Sequence, residues 1–450
     1  MREKRTNGHY AVWVFLMILL PTAVSSVFAA GQQDAGQQEQ ATDVDVDELE
    51  DVEIEVWHSL SEDYGAPEFE GYVEEFNELH DNITVNVSYQ GGYTDTLRAA
   101  ESALADDNPP NISMFEQTRG AGFVDAQAIL PLDPLAENDP DVSLDDFFER
   151  LLGTVRIDGQ IWGIPWNTST PLIYYNADMF RDAGLDPEED FPETWDELLE
   201  VGPEFAEHSD SGELEQWAFG LRTNPGWMFD AFLGQAGGQF LSDDGDEFVF
   251  NNEAAVDMAE FWLTLRDEDI AVPMGTGTTY DEFFAENQAM VFQSTALLES
   301  YLDRADFDIR VAPLWEGEEG YAPIGGANFY IFDVEDSEKH QASWEFLTWL
   351  TEEKGADFSR STGYHAPRRD TVESAEMQER FEDRPEARVT YDQLETVAEP
   401  RTLVPFWGEV HNLMTVATEQ ILLDDVEPQT ALDEAVEEAN RLLDVYGMGR

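Results

Sequence analysis

Midway along the chain, Pro165-Trp166-Asn167-Thr168-Ser169-Thr170 sets an aromatic and four small polar residues ahead of the apolar run Pro171 to Asn176. Hydroxyls and an amide at that density can satisfy the backbone of a turn, or they can hydrogen-bond the oxygens of a ligand. Glu116 closes the short apolar stretch NISMFE. A carboxylate there can accept hydrogen bonds from two adjacent hydroxyls, although in so acidic a chain a single glutamate is ordinarily a solvated charge. Arg401 stands in EPRTLVPFW, with Arg368 and Arg369 in HAPRRD as further candidates. A guanidinium offers a bidentate fork to a phosphate. Gly325-Gly326 would let backbone N–H groups approach an anion without Cβ interference, and a strand bulge accounts for the pair equally well. Ser294 ends AMVFQS, and Trp57, Trp166, Trp195, Trp227 and Trp315 could each supply a flat face for a sugar or pack in a core.

Catalytic signatures are missing from this inventory. The chain contains no G-x-S-x-G, H-E-x-x-H or G-x-x-x-x-G-K-[ST], its seven histidines lack metal-ligand spacing, and it has no cysteine. Paired carboxylates could hydrolyse a glycoside, but 97 acidic residues make that signal uninformative. The expectation is a binder, not an enzyme, with no cofactor and no metal.

The net charge of −74 comes from 97 Asp and Glu against 23 Lys and Arg. Nucleic acid and anionic membranes are disfavoured partners, because both require a basic face. The acids are spread along the whole chain, which points to a folded protein with an acidic surface suited to concentrated salt. At about 1 M salt the Debye length is about 3 Å, so self-repulsion is screened. At the start, Arg2, Lys4 and Arg5 precede the apolar stretch Ala11 to Leu20 and the small residues near Ala29 and Ala30. This pattern predicts a signal peptide over residues 1–30, cleaved near Ala29/Ala30, and a soluble periplasmic product. Without cysteine the signal is not of the lipoprotein type. Residues 31–52, rich in Gln, Asp and Glu, predict a disordered acidic leader.

These chemical groups need a scaffold. VEIEVWH alternates as a strand, Phe69 to His80 has helical spacing, and ITVNVSY alternates again before the helical TLRAAESALAD and the strand NISMFE. The order strand, helix, strand, helix, strand predicts an α/β fold with strand ends gathered on one edge. IDGQIWGIPWN reads as a short hairpin, FPETWDELLEVG as a helix opened by a Thr194/Glu197 capping box, and AMVFQST as a strand. From His340 onward the chain reads as mostly helical.

VEIEVWHSLSEDYG, YQGGYTDTL, PWNTSTPLIYYNADMFRDAGLDP, PETWDEL, AMVFQST, APIGGANFYIF and STGYHAPRRD occur in an order that resembles the extracellular solute-binding proteins of ABC importers, most closely the glycerol-3-phosphate-binding branch. The resemblance spans nearly all of the chain beyond the leader. It implies a two-lobed periplasmic-binding-protein fold of type II, maltose-binding-protein-like, with a hinge and an interlobe cleft. The expected lobes are 53–168 with 294–328 and 169–293 with 329–446, and the expected crossings lie near Asn167 to Thr170, Gln293 to Ala296 and Ala327 to Asp333. The resemblance assigns ligand contacts to Trp57, Tyr93, Glu116, Ser169, Trp195, Ser294, Gly326, Tyr364 and Arg401. It implies capture of glycerol 3-phosphate or a glycerophosphodiester by a monomer that delivers it to ABC permease subunits. Capture of a neutral sugar and signalling to a chemoreceptor are the alternatives within the same fold.

Overall fold

The computed structural model describes Leu49 and residues 51–448. The expected signal peptide and most of the expected acidic leader lie outside the described residues. Two sheets organise the chain. The first runs in the order Ile83–Tyr89, Val52–His58, Ile112–Glu116, Gly325–Ile331, Ile164–Ser169. Its first three strands are parallel and the last two join antiparallel. The second runs Ala271–Met274, Leu214–Arg222, Gln288–Ser294, Pro171–Asn176, Ile309–Ala312.

Sequence patterning explains the elements. In Val52–His58 every second residue is buried, so Val52, Ile54 and Val56 face the core while Glu53 and Glu55 face water. Gln288–Ser294 is buried throughout, as expected of a strand paired on both sides and covered on both faces. The capping box is present: the Thr194 hydroxyl accepts from the Glu197 amide, and Glu197 returns the bond to the Thr194 amide. Asn176 ends the PLIYYN strand and caps the next helix, its side-chain oxygen accepting from the amides of Asp178 and Met179.

The chain passes from the first sheet to the second at Ser169-Thr170-Pro171. This crossing is tied to the turn that follows Gln288–Ser294: the Thr295 amide donates to the Thr170 carbonyl at 2.9 Å, and the Thr170 amide donates to the Thr295 hydroxyl at 3.3 Å. Gln393 donates to the Thr170 hydroxyl (3.0 Å) and the Pro171 carbonyl (2.7 Å). The backbone of this buried junction is therefore satisfied from across it, by Thr295 and Gln393, and of the hydroxyls ahead of the strand only that of Thr170 takes part.

The expected lobe boundaries need correcting in two places. Ile309–Ala312, placed in the first lobe from sequence, pairs with Pro171–Asn176 in the second sheet. Residues 329–364, placed in the second lobe, belong to the first. Phe329, Tyr330 and Ile331 lie in its sheet, and Trp344, Phe346, Leu347 and Leu350 of the helix Ser337–Glu353 bury against Ile54, Phe69 and Phe76. The third expected crossing, at 327–333, is thus the inside of a strand. A helix-rich tail carries no sign of which sheet it covers, because either apolar surface accepts an amphipathic face. Helices Trp407–Asp424 and Pro428–Tyr446 pack on one another and on Glu253–Asp267 in the second lobe.

Candidate functional site

The C-terminal strand ends of the first lobe and the facing elements of the second converge on Arg401. Its Nη1 donates to Glu116 Oε1 of the first lobe at 2.7 Å. Its Nε donates to Asp230 of the second lobe, in the helix Trp227–Gln235. The guanidinium is only 8% exposed and lies over the Trp407 ring at 5.7 Å. Burial opposes its charge, but Asp230 and Glu116 more than offset this and hold its pKa above the usual arginine value. Burial pushes the Asp230 carboxyl up to about 6, against the pull of Arg401. Its second oxygen has no hydrogen-bond partner among the described residues. Glu116 also accepts from the amide and hydroxyl of Thr118 and lies 3.7 Å from Arg119. One cation is thus shared by two carboxylates from opposite lobes.

Next to this corner stands a wall of phenols. Asn167 Nδ2 donates to the Tyr93 hydroxyl at 3.1 Å. Burial raises the Tyr93 pKa well above its usual value, opposed by hydrogen bonds to Asn167 and Tyr364. Burial likewise raises Tyr364, whose ring is stacked on Phe358 at 5.5 Å. Asn167 Oδ1 and Thr168 Oγ1 are buried without partners in the protein. Phenol hydroxyls beside two carboxylates suit a small polyhydroxylated molecule.

Four of the expected residues therefore meet in one place: Tyr93, Glu116, Tyr364 and Arg401. Ser169 ends its strand beside Asn167, buried and paired in register with Gly325, and among the described residues its side chain has no hydrogen-bond partner. Gly326 pairs with Thr168 at φ +95°, and a Cβ there would lie 1.9 Å from the Asn167 carbonyl oxygen. The glycine is thus required by the close approach of two strands, next to an irregular register between Ala327 and Asn328.

Three others are engaged elsewhere. Ser294 caps the turn Thr295–Leu297 by accepting from the Ala296 amide at 3.1 Å. Trp195 stacks on Phe261 at 4.5 Å and on Phe232 at 5.4 Å and donates to Gln235 at 2.9 Å, which anchors its helix to the second core. Trp57 donates to Glu55 on its own strand at 2.6 Å. Arg368, a further phosphate candidate from the sequence, is buried with Asp370 at 2.9 Å and Asp146 at 3.6 Å.

Sequence reasoning missed Asp230 altogether, and it named Asn167 and Trp227 without singling them out as ligand contacts. Asp230 had a readable signal: it is the single charged residue in WMFDAFLGQ, where every residue from Met228 to Gln235 is buried. Trp227 donates to the Pro323 carbonyl at 3.0 Å and covers Gly325, whose Cβ position is 2.6 Å from its ring.

Two α/β lobes meeting at a polar junction define a solute-binding protein of the maltose-binding-protein-like fold. A profile of the bacterial extracellular solute-binding proteins matches residues 71–386, and the chain belongs to that family of substrate-binding transport proteins. It is 27% identical over 415 residues to the sn-glycerol-3-phosphate-binding periplasmic protein UgpB of Yersinia enterocolitica, covering 87% of this chain and 92% of that one. To the protein of the same name from Salmonella typhimurium it is 26% identical over 413 residues, covering 87% and 92%. Among solved structures, UgpB from Mycobacterium tuberculosis in complex with glycerophosphocholine superposes with a TM-score of 0.77 at 22% identity, over 88% of this chain and 99% of that one. The cyclic alpha-maltosyl-1,6-maltose binding protein from Arthrobacter globiformis superposes with a TM-score of 0.75 at 23% identity, over 87% and 99%.

Proposed function

We propose that this chain is the substrate-binding subunit of an ABC importer. It captures glycerol 3-phosphate or a glycerophosphodiester between its lobes and delivers it, as a periplasmic monomer, to membrane permease subunits. The observation that carries this reading is the set Glu116, Arg401 and Asp230, joined across the lobes and bordered by Tyr93, Asn167 and Tyr364. Carboxylates accept from the glycerol hydroxyls, and phenol hydroxyls and the Ser169 hydroxyl donate to phosphate oxygens. The names of the relatives from Yersinia and Salmonella support the same ligand. Stacking on a sugar has weaker support, because Trp166 and Trp315 are buried in the cores and Trp195 is stacked on phenylalanines.

Titration calorimetry in concentrated salt with glycerol 3-phosphate, glycerophosphocholine, maltose and trehalose tests this function. The expected result is binding of the two phosphate compounds and not of the sugars; binding of the sugars alone would overturn it. The acidic composition supports function in high salt. Raising salt from about 0.1 M to about 1 M shortens the Debye length from about 10 Å to about 3 Å, and the melting temperature should rise with it.

A further inference from the structure

None of the residues at the Arg401 corner comes from the helix Pro385–Thr396, yet this helix is fastened to both lobes. On the second-lobe side Gln393, 2% exposed, uses both of its N–H groups and its oxygen. Its Nε2 donates to the Thr170 hydroxyl and the Pro171 carbonyl at the passage between the sheets, and its Oε1 accepts from the Leu314 amide at 2.9 Å. Pro171 opens a strand of the second sheet, and Leu314 follows the edge strand Ile309–Ala312 and sits in the second core. Nearer the start of the helix, Ala387 packs with Leu172 and Tyr174 of the same lobe.

On the first-lobe side the same helix is held by Tyr391 and by its C-terminal end. The Tyr391 hydroxyl accepts from the Ala366 amide at 2.8 Å and lies 2.9 Å from the hydroxyl of Ser359, in a helix whose Phe358 belongs to the first core. Arg150, in the first-lobe helix Glu149–Leu152, donates to the Thr396 carbonyl at 3.1 Å and to Ala398 and Glu399 just beyond it. A helix tied to two bodies cannot follow both when they rotate. A change in the angle between the lobes must therefore strain either the Gln393 bonds or those of Tyr391 and Arg150. Gln393, Thr170, Ser359 and Tyr391 are each at most 2% exposed, so groups that lose these partners find no water in exchange.

We propose that the helix Pro385–Thr396 is a brace that favours the arrangement in which the lobes meet at Arg401, and that Gln393 sets ligand affinity through it from outside the ligand corner. The bonds on both sides of the helix are made together in that arrangement. The brace therefore lowers the free energy of the joined lobes relative to parted ones. A ligand held between the lobes gains affinity in proportion to the share of molecules already joined, so Gln393 acts as a positioning residue. This inference rests on ligand capture between the lobes as read above.

Calorimetry on the full chain in concentrated salt, with glycerol 3-phosphate and glycerophosphocholine, tests the brace together with small-angle X-ray scattering of the ligand-free chain. Gln393→Met keeps the volume of the side chain and removes all three hydrogen bonds. It should weaken both compounds by the same factor, roughly tenfold, and raise the ligand-free radius of gyration above that of the wild type. The shared factor separates a brace from a packing residue: a shift in lobe population scales every ligand alike, whereas a distorted corner changes the ratio of the two affinities. Wild-type affinity for both compounds, or losses that differ by more than about threefold, would overturn the brace. Should Gln393→Met fail to fold, Tyr391→Phe cuts the ties to Ser359 and Ala366 on the other side of the helix, and unchanged affinity for both compounds there would overturn it equally. If the wild type binds neither compound, the functional reading itself fails, and an unchanged ligand-free radius of gyration in Gln393→Met would then overturn the brace.

Discussion

Arg401 and Arg222 are both buried arginines at the junction of two lobes, and each is handled differently. Arg401 is gripped by Glu116 from one lobe and Asp230 from the other, so its charge is spent inside the protein. Arg222 rests on a carbonyl and two rings, and its charge remains uncompensated. The difference teaches that burial alone does not set a cation's surroundings: the counter-charges within reach of each guanidinium do, and they differ although both side chains lie at the same junction.

The strongest way to break the comparison is to remove the compensated partner. Arg401→Ala leaves Glu116 and Asp230 buried without a cation and should lower stability by about 3–5 kcal/mol. Chemical denaturation in concentrated salt measures this, and a loss below about 1 kcal/mol would mean that the cluster is solvated. Asp230→Asn is next. With its folded pKa raised to about 6 from 3.8, Asp230 holds its proton more firmly folded than unfolded. Its contribution is therefore most favourable below about pH 4 and declines as pH rises to 6. The stability of wild type relative to Asp230→Asn should fall across that window by up to about 3 kcal/mol, read from denaturation at several pH values. A difference that is flat with pH would show that Asp230 titrates normally.

Gly326→Ala probes the wall near the Arg401 corner without touching any charge. The new Cβ would meet the Asn167 carbonyl at 1.9 Å in a left-handed backbone conformation, and about 2 kcal/mol of stability should be lost. Smallest of all, Trp195→Phe should change glycerol 3-phosphate affinity less than about threefold while costing about 1 kcal/mol of stability, because that ring serves the second core. A larger effect on binding than on stability would return Trp195 to the ligand site.

Much of the scaffold was legible because its signals are local. Alternation marked Val52–His58 and Ile83–Tyr89, and Thr194 with Glu197 marked a helix start. Tyr93, Glu116, Tyr364 and Arg401 were reachable through their motifs, and the structure brings them together. The place of Trp195 was not legible, because an aromatic in a first helical turn suits a cleft or a core equally, and the structure stacks it on Phe261 and Phe232. Asp230 was passed over because a chain with 97 acids hides the one acid that cannot reach water.

The sequence by itself determined the α/β character and the acidic, cysteine-free chemistry, since each depends on residue type and short-range spacing, while the crossing near Asn167 to Thr170 came from the resemblance to the solute-binding family. Only the tertiary structure decided that helix Ser337–Glu353 covers the first lobe, that Ile309–Ala312 completes the second sheet, and that Asp230 lies on Arg401 while Arg222 lies on none. Those outcomes turn on partners far apart in the chain, such as Asp230 and Arg401, 171 residues apart, and burial there, not composition, sets the worth of each charge.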